Sequence, residues 1–187
     1  MYKGRQYRSR LEARWASFFD LVGWRFEYEP YDLPGWIPDF AIYNHEDQEM
    51  LVEVKPYSTI EEFSKTESQI HNALREGDKE ECEILLLGVS IKEEGYSIGF
   101  PSLGWLMYYT PEDVEFTSMP CSEAVFNCYN GEWGFYSGEG SWDDRITGKY
   151  DGNRYVHPPT SNEVLKLWNE AANITQWKSP RKRRRRY

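Results

Sequence analysis

Two apolar segments separated by a polar turn each carry charged side chains within a strand-like pattern. They lie in the stretch GWIPDFAIYNHEDQEMLVEVKPY, residues 35–57, where the first segment contains Asp39 and the second contains Glu53 and Lys55. The polar sequence NHEDQ between them predicts a β-hairpin. A buried charge is costly unless it is paired or binds a cation. Whatever fold this chain adopts must therefore give these charges a partner.

The spacing of the two acids predicts that they face each other across the hairpin. The midpoint of Asp39 and Glu53 is Glu46, which lies in the polar turn. Residues directly opposite on paired strands have Cβ atoms roughly 5 Å apart, and Lys55 shares their face because side chains alternate along a strand. A register shifted by one residue would separate the two acids. The opposite face points into a core through Phe40, Ile42, Val52 and Val54.

Two carboxylates this close together repel each other, so that one is protonated or a cation lies between them. Mg²⁺ binds one or two carboxylates together with other oxygen atoms and water, and leaves room for substrate phosphates. Asp39, Glu53 and the carbonyl group of Val54 would supply part of such a shell. Lys55 suits the orientation or deprotonation of a water molecule, or the neutralisation of charge on a phosphate. The alternative is ordinary pairing of Lys55 with both acids on a solvated sheet face.

The rest of the apolar pattern predicts alternating helices and strands. Residues 82–91 contain a short continuous apolar run, which is typical of a strand buried on both faces. Ser58 and Glu61 fit a capping box at the start of the second helix. The predicted elements are, in chain order, a helix over 5–22, strands over 24–30, 36–43 and 49–57, a helix over 58–77 and a strand over 82–91.

The residues PDF at 38–40, followed by EVK at 53–55, resemble the PD-(D/E)XK motif of the restriction-endonuclease-like nuclease superfamily. The order of elements over residues 5–91 matches the αβββαβ core of this superfamily, which carries the motif on its second and third strands. The superfamily often has a further acid on the first helix, and Glu12 in RSRLEARWA matches it. The resemblance implies an α/β fold with a restriction-endonuclease-like core and a mixed central sheet.

The resemblance further implies a nuclease that hydrolyses phosphodiester bonds and depends on Mg²⁺ or Mn²⁺. Asp39 and Glu53 would hold the metal ion, and Glu12 would complete the shell directly or through water. Lys55 would position the attacking water, so that Glu12, Asp39, Glu53 and Lys55 form the expected catalytic set. Many of these enzymes also use a polar residue of the second helix, for which Gln69 or Lys65 is the candidate.

The net charge of −9 conceals basic ends on an acidic body. Residues 1–25 hold six basic and two acidic residues, residues 178–187 hold seven basic and no acidic residues, and 26–177 hold 9 basic and 29 acidic residues. This distribution predicts two local footprints for a polyanion. The expected nucleic-acid-binding residues are Arg8, Lys178, Arg181, Lys182, Arg183, Arg184, Arg185 and Arg186. The basic run is also typical of a solubilising tail or a nuclear import signal.

The composition predicts four parts of the chain. Residues 95–159 are rich in Gly, Trp and Tyr, which predicts an irregular or short-stranded insertion or subdomain. Its aromatic side chains either stack on unpaired bases or pack a small core of their own. Thr160 and Glu163 fit a capping box. The predicted parts are a nuclease-like core over 1–94, the insertion over 95–159, a C-terminal helix over 160–177 and a disordered basic tail over 178–187.

The remaining features favour an intracellular protein. No apolar run approaches the ~20 residues that span a bilayer, the N-terminus lacks the apolar core of a signal peptide, and three cysteines do not make a disulfide framework. The stretch from RSRLEARWASFFD through PDF to EVKP is similar to small nuclease-like proteins of phages and bacteria. We therefore expect no membrane contact, and a cytoplasmic location in a bacterial or phage-infected cell.

The leading hypothesis is a DNA endonuclease, with a homodimer as an option for double-strand cuts. The alternative is a non-catalytic nucleic-acid-binding or virion-associated protein that retains the nuclease fold. The intact set of Asp39, Glu53 and Lys55 argues against this alternative, because a protein that only binds nucleic acid gains nothing from clustered acids near phosphate. A third hypothesis, an acidic mimic of DNA, fits the acidic body but not the basic ends.

Overall fold

The computed structural model describes residues 1–93, 100–111, 121–129, 131–137, 145–147, 156–157 and 159–176. Within these ranges the chain has an α/β fold, as predicted from the sequence. The helices are α1 (Arg10–Leu21), α2 (Ser64–Glu76) and α3 (Ser161–Thr175), and a short 3₁₀ turn over Glu61–Phe63 precedes α2. The strands are β1 (Arg25–Tyr28), β2 (Phe40–Tyr43), β3 (Glu49–Val54), β4 (Cys82–Lys92), β5 (Ser102–Tyr109), β6 (Cys121–Tyr129), β7 (Glu132–Ser137) and β8 (Val156–His157).

The described strands form one mixed sheet. Strands β1 to β7 lie side by side in chain order, and β8 pairs with β6. The pair β3–β4 is parallel, and the other neighbouring pairs are antiparallel. A parallel pair needs a crossover connection, and α2 lies in the connection between β3 and β4. The predicted order of helix, three strands, helix and strand is therefore present over α1 to β4.

Helices cover both faces of the sheet. Helix α1 begins at the N-cap Ser9 and buries Trp15, Phe18 and Phe19 in a core that it shares with Trp168 of α3. The predicted core face of the hairpin, Phe40, Ile42, Val52 and Val54, lies in this core. Helix α2 packs on the other face, where its apolar side chains share a second core with Ala41 and Leu51. Each large apolar side chain buried in this way contributes about 1.5–3 kcal/mol.

Several predicted boundaries differ from the structure. Helix α1 begins at Arg10 rather than at residue 5, and β3 ends at Val54 rather than at residue 57. The helix predicted over 58–77 has its α-helical part only from Ser64, and the amide of Ser58 donates to Glu62 rather than to the predicted Glu61. The strand predicted over 36–43 begins at Phe40. Residues 33–36 form a tight turn instead, in which the backbone groups of Leu33 and Trp36 pair with each other.

The segment over 95–159 contributes regular strands where it is described. Strands β5, β6 and β7 extend the central sheet, so that the short-stranded reading fits these residues better than the irregular one. The aromatic side chains Trp105, Tyr109, Phe135 and Tyr136 are buried, which favours packing over base stacking. The predicted capping box of Thr160 and Glu163 opens α3 and is confirmed.

Several predictions concern residues outside the described ranges. Trp142 and the basic tail, with Lys178, Arg181, Lys182, Arg183, Arg184, Arg185 and Arg186, lie among them. The division of the chain into four parts stays a prediction. In the described part of the chain, none of the helices combines the length and apolar character that a membrane span requires.

Candidate active site

The predicted register of the hairpin is confirmed. Phe40 pairs with Val52 and Ala41 pairs with Leu51, so that the same register continued by one residue places Asp39 opposite Glu53. Asp39 directly precedes β2, and Glu53 is the penultimate residue of β3. Both are almost completely buried, with 3% and 2% of their surface exposed. The fold therefore brings two acidic residues together in the interior at adjacent strands.

Asp39 is held by a backbone amide and by an arginine. Its Oδ2 accepts a hydrogen bond from the amide of Val54 at 2.8 Å, and its Oδ1 accepts one from Nη2 of Arg8 at 2.9 Å. Burial, followed by the negative charge of Glu53, raises the pKa of Asp39 from 3.8 to about 7, while the Val54 amide and Lys55 act in the opposite direction. The charged form of Asp39 is thus costly in the free protein.

Glu53 is held by two side chains. Its Oε2 accepts a hydrogen bond from the indole Nε1 of Trp36 at 2.9 Å, and its Oε1 pairs with Nζ of Lys55. The main chain of Lys55 is fixed as well, because its amide donates to the carbonyl oxygen of Leu87 on β4 at 2.9 Å. Each oxygen atom of both acids therefore accepts one hydrogen bond from the protein.

The two acids line a cleft with a volume of about 350 Å³. Five of the residues predicted for the site meet in it: Arg8, Asp39, Glu53, Lys55 and Gln69. The turn of residues 33–36 and the exposed side chain of Ile37 form another part of the wall. The cleft is thus lined by a residue that precedes α1, by residues of the hairpin and by a residue of α2.

Glu12 lies beside the cleft but is not among its lining residues. Its side chain is buried, and its Oε2 accepts hydrogen bonds from the hydroxyl of Tyr28 at 2.7 Å and from the amide of Arg8 at 3.1 Å. Its negative charge contributes, as a smaller cause, to the raised pKa of Asp39. Its role as a metal ligand stays a prediction.

Gln69 holds the wall of the cleft in place. Its Nε2 donates to the carbonyl oxygen of Gly35 at 2.6 Å, at the turn of residues 33–36. Gly35 has a φ of 77°, a left-handed conformation that glycine adopts without strain. Lys65, the other candidate on α2, is exposed and is not among the lining residues. Of the two, Gln69 is therefore the one that the fold places at the site.

Sequence reasoning missed the residues that orient the predicted ones. The indole of Trp36 donates to Glu53, and Glu29 forms an ion pair with Nε of Arg8 at 2.7 Å. The hydroxyl of Tyr28 donates a hydrogen bond to Glu12 and accepts one from the amide of Arg8. The signal for Trp36 was present, because a buried indole N–H requires an acceptor and Trp36 is three residues from the motif acid. The contacts of Glu29 and Tyr28 depend on tertiary structure.

The oxygen donors of the cleft fit a hard divalent cation. Mg²⁺ and similar ions are bound through one or two carboxylates, with water and substrate oxygens completing the shell. Each carboxylate oxygen has more than one lone-pair site, and each of the four has one hydrogen bond from the protein. Among the described residues, no group of three or more His, Cys, Asp or Glu side chains is arranged to hold a metal ion. Glu12, Asp39 and Glu53 therefore do not form such a group, and the carboxylates that line the cleft at the motif are those of Asp39 and Glu53.

Comparison of the chain with models of protein families, with curated proteins and with solved structures found no match. The functional assignment therefore rests on the fold and on the chemistry of the cleft.

Proposed function

We propose that the protein is a Mg²⁺- or Mn²⁺-dependent nuclease with a restriction-endonuclease-like core, and that it hydrolyses phosphodiester bonds in DNA. The observation that carries the proposal is the pair of buried acids, Asp39 and Glu53, opposite each other at the hairpin, with Lys55 beside them in a cleft. The element order of α1, β1, β2, β3, α2 and β4, with β3 and β4 parallel, supports the proposed core.

The loss of stability that comes from burying Asp39 and Glu53 argues that these residues have a function. Burial of two neighbouring acids destabilises a fold, and groups with strongly shifted pKa values are concentrated at functional sites. The raised pKa of Asp39 reflects this cost. A structure that needed only stability would have apolar residues at these two positions.

The roles of the side chains follow from their contacts. Asp39 and Glu53 would hold the metal ion, which when bound supplies a positive charge that stabilises the phosphate in the transition state. Nζ of Lys55, one third exposed and paired with Glu53, can orient a water molecule at the edge of the cleft. Trp36 and the Val54 amide fix the directions of the two carboxylates. Arg8, half exposed, can contact a phosphate.

One observation favours the second candidate, a nucleic-acid-binding protein without catalysis. All four carboxylate oxygens of Asp39 and Glu53 already have donors within the protein. A fully bonded network of this kind is what a purely structural site requires. In such a protein the basic residues near both ends of the chain would carry the binding.

The experiment that separates the candidates is a digest of supercoiled, single-stranded and branched DNA and of RNA, with Mg²⁺, Mn²⁺ or EDTA. We expect metal-dependent cleavage of DNA, and a loss of at least about 100-fold in Lys55→Ala, since a positioned proton-transfer group contributes about 10²–10⁴-fold. Lys65→Ala is the matched control, because this lysine is exposed on α2, and it should cut within about twofold of the parent.

Asp39→Ala should also lose cleavage, and circular dichroism should show that both cleft variants remain folded. Equal cleavage by parent, Lys55→Ala and Asp39→Ala would refute the catalytic assignment. If no substrate is cut but DNA binding persists in EDTA and weakens steeply with salt, the second candidate is correct.

A further inference from the structure

Arg8 connects the cleft to a second carboxylate outside it. Its Nη2 donates to Oδ1 of Asp39 at 2.9 Å, and its Nε forms an ion pair with Oε1 of Glu29 at 2.7 Å. The two partners differ in exposure, since the side chain of Asp39 is 4% exposed and that of Glu29 is 36% exposed. The guanidinium group thus spans from a buried acid to a solvated one.

The backbone of Arg8 is fixed independently of its side chain. Its amide donates to Oε2 of Glu12 at 3.1 Å and to the hydroxyl of Tyr28 at 3.0 Å. The next residue is Ser9, the N-cap of α1. The side chain itself is 51% exposed. The guanidinium group can therefore exchange partners while the backbone amide of Arg8 keeps its own hydrogen bonds.

Glu29 offers the guanidinium group a position that does not depend on Asp39. The amide of Glu29 donates to the carbonyl oxygen of Asp39 at 3.0 Å, which keeps the two acids adjacent. An arginine that keeps its ion pair with Glu29 still has N–H groups at both Nη atoms to offer when Nη2 leaves Asp39, because a guanidinium carries five N–H donors. These donors match the geometry of a phosphate.

We propose that Arg8 neutralises Asp39 in the metal-free protein and competes with the metal ion for that carboxylate. Resting on the proposed function, this assigns Arg8 a regulatory role at the same site. Two positive groups at one carboxylate repel each other, so that the cation binds as Nη2 leaves Asp39. The released guanidinium then contacts the substrate phosphate. No covalent bond changes in this step.

The exchange couples metal binding to phosphate binding. Without a phosphate, departure from Asp39 costs Arg8 a charge-assisted hydrogen bond, so that the free protein binds the cation weakly. With a phosphate present, Arg8 gains a new partner and the cation binds more tightly. Linkage requires the reverse as well, so that the cation strengthens phosphate binding by the same factor.

The test is a titration with Mn²⁺ followed by electron paramagnetic resonance of the free ion, which needs no turnover. We expect Arg8→Gln to bind Mn²⁺ at least about fivefold more tightly than the parent, at the lower end of typical coupling factors. Arg8→Lys retains the charge and should stay within about twofold of the parent. Arg10→Gln is the matched control, since Arg10 is exposed and lines a different groove, between α1 and α3.

A second titration adds thymidine 5′-monophosphate, which presents a phosphate but has no phosphodiester bond. It should tighten Mn²⁺ binding by the parent and by Arg10→Gln, and should have no such effect on Arg8→Gln. Unchanged or weaker Mn²⁺ binding by Arg8→Gln would overturn the inference. Thermal unfolding of each variant without metal ion distinguishes lost competition from lost folding.

Asp39→Asn separates this inference from the proposed function. If Asp39→Asn abolishes Mn²⁺ binding while Arg8→Gln binds no more tightly than the parent, the metal site stands and only the competition is refuted. If the parent, Arg8→Gln and Asp39→Asn all fail to bind Mn²⁺, both the competition and the metal-dependent function are refuted.

Discussion

Asp39 is the residue at which burial and charge conflict most directly. Its pKa is raised to about 7, chiefly by burial and then by the charge of Glu53. Between about pH 4 and 7 the folded protein keeps a proton that the unfolded chain releases, so that the free energy of unfolding falls as the pH rises. We expect Asp39→Asn, which does not titrate, to exceed the parent in stability by about 1–2 kcal/mol at pH 8, and by less at pH 4. Urea unfolding at both pH values without divalent cations measures this.

Asp20→Asn is a suitable control for that prediction. Asp20 lies at the other end of α1, accepts a hydrogen bond from Tyr2 and pairs with Lys3 at a partly exposed position. Its replacement removes favourable contacts, so that it should not stabilise the protein at pH 8. A loss of stability in Asp39→Asn at pH 8 would show that the Arg8 contact outweighs the cost of burial.

Replacement of Trp36 tests whether its indole N–H orients the carboxylate of Glu53. Trp36→Phe removes the indole N–H that bonds Oε2 of Glu53, and a bond to a charged group is worth about 1.5–3 kcal/mol. We expect a loss of that order in the free energy of unfolding and weaker Mn²⁺ binding. Denaturant unfolding and a Mn²⁺ titration measure the two effects.

Trp24→Phe provides the matched control. The indole of Trp24 donates to the carbonyl oxygen of Trp133 at 2.7 Å, in the core on the other face of the sheet. This variant should also lose stability but should bind Mn²⁺ as the parent does. If both variants weaken Mn²⁺ binding equally, Trp36 has no specific role in orienting Glu53.

The residues of the site were predictable to the extent that strand periodicity determines them. Asp39, Glu53 and Lys55 share a face because of their spacing along a hairpin, and the structure confirms the register. Their partners were less predictable: a buried indole near the motif pointed to Trp36 only in general terms, and the contact of Arg8 with Asp39 depends on the chain that precedes α1. Side-chain direction at such places depends on tertiary packing, which a periodic pattern does not encode.

At the scale of elements, Gly88 is the point where β4 meets the main chain that follows β3. A Cβ atom at Gly88 would lie 2.4 Å from the carbonyl oxygen of Tyr57, which accepts a hydrogen bond from the amide of Val89. We expect Gly88→Ala to destabilise the protein by about 1–3 kcal/mol, as overpacking typically does. It should also reduce cleavage, because displacement of residues 55–57 moves Lys55.

Urea unfolding and a plasmid digest on the same preparation measure both effects of Gly88→Ala. Val89→Ala is the control, since the side chain of Val89 is exposed and its removal should cost less than about 1 kcal/mol. A Gly88→Ala variant as stable and as active as the parent would show that residues 55–57 can shift without moving Lys55.

The elements themselves were predictable where the sequence has apolar residues at helical spacing or a continuous apolar run. Strand β4 matches its predicted range to within one residue, whereas helix α1 ends one residue before its predicted end and begins five residues after its predicted start. Strand β5 was not predicted as a separate element, because Gly104 interrupts its apolar residues and the segment around it is rich in glycine and turn residues. The late start of α2 reflects Glu62, whose carboxylate accepts the amides of Ser58 and Thr59.

At the scale of the whole molecule, basic residues near the N-terminus line two separate depressions of the surface. Arg8 lines the cleft, and Arg10 and Arg14 line a groove with Thr175 and Gln176 at the end of α3. The basic tail begins at Lys178, two residues after Gln176. Gln176, the last described residue before the tail, thus lies at the groove that Arg10 and Arg14 line, whereas residues 26–177 are strongly acidic.

This arrangement predicts that the tail contributes affinity rather than chemistry. Contacts of Lys and Arg with phosphates release counterions, so that each contact adds about 0.7–0.9 to the slope of log affinity against log salt concentration. Removal of residues 178–187 deletes seven basic residues. We expect weaker DNA binding and a shallower salt dependence, with an unchanged rate of cleavage at saturating DNA because the cleft is intact.

Fluorescence anisotropy with labelled DNA over a range of salt concentrations measures that change. A variant in which the seven basic residues are replaced by Gln keeps the length of the tail and should behave like the truncation, since charge and not length carries the effect. Equal affinity and salt slope in the parent and both variants would identify the tail as a solubilising segment. Phosphate binding would then depend on Arg8 and the cleft alone.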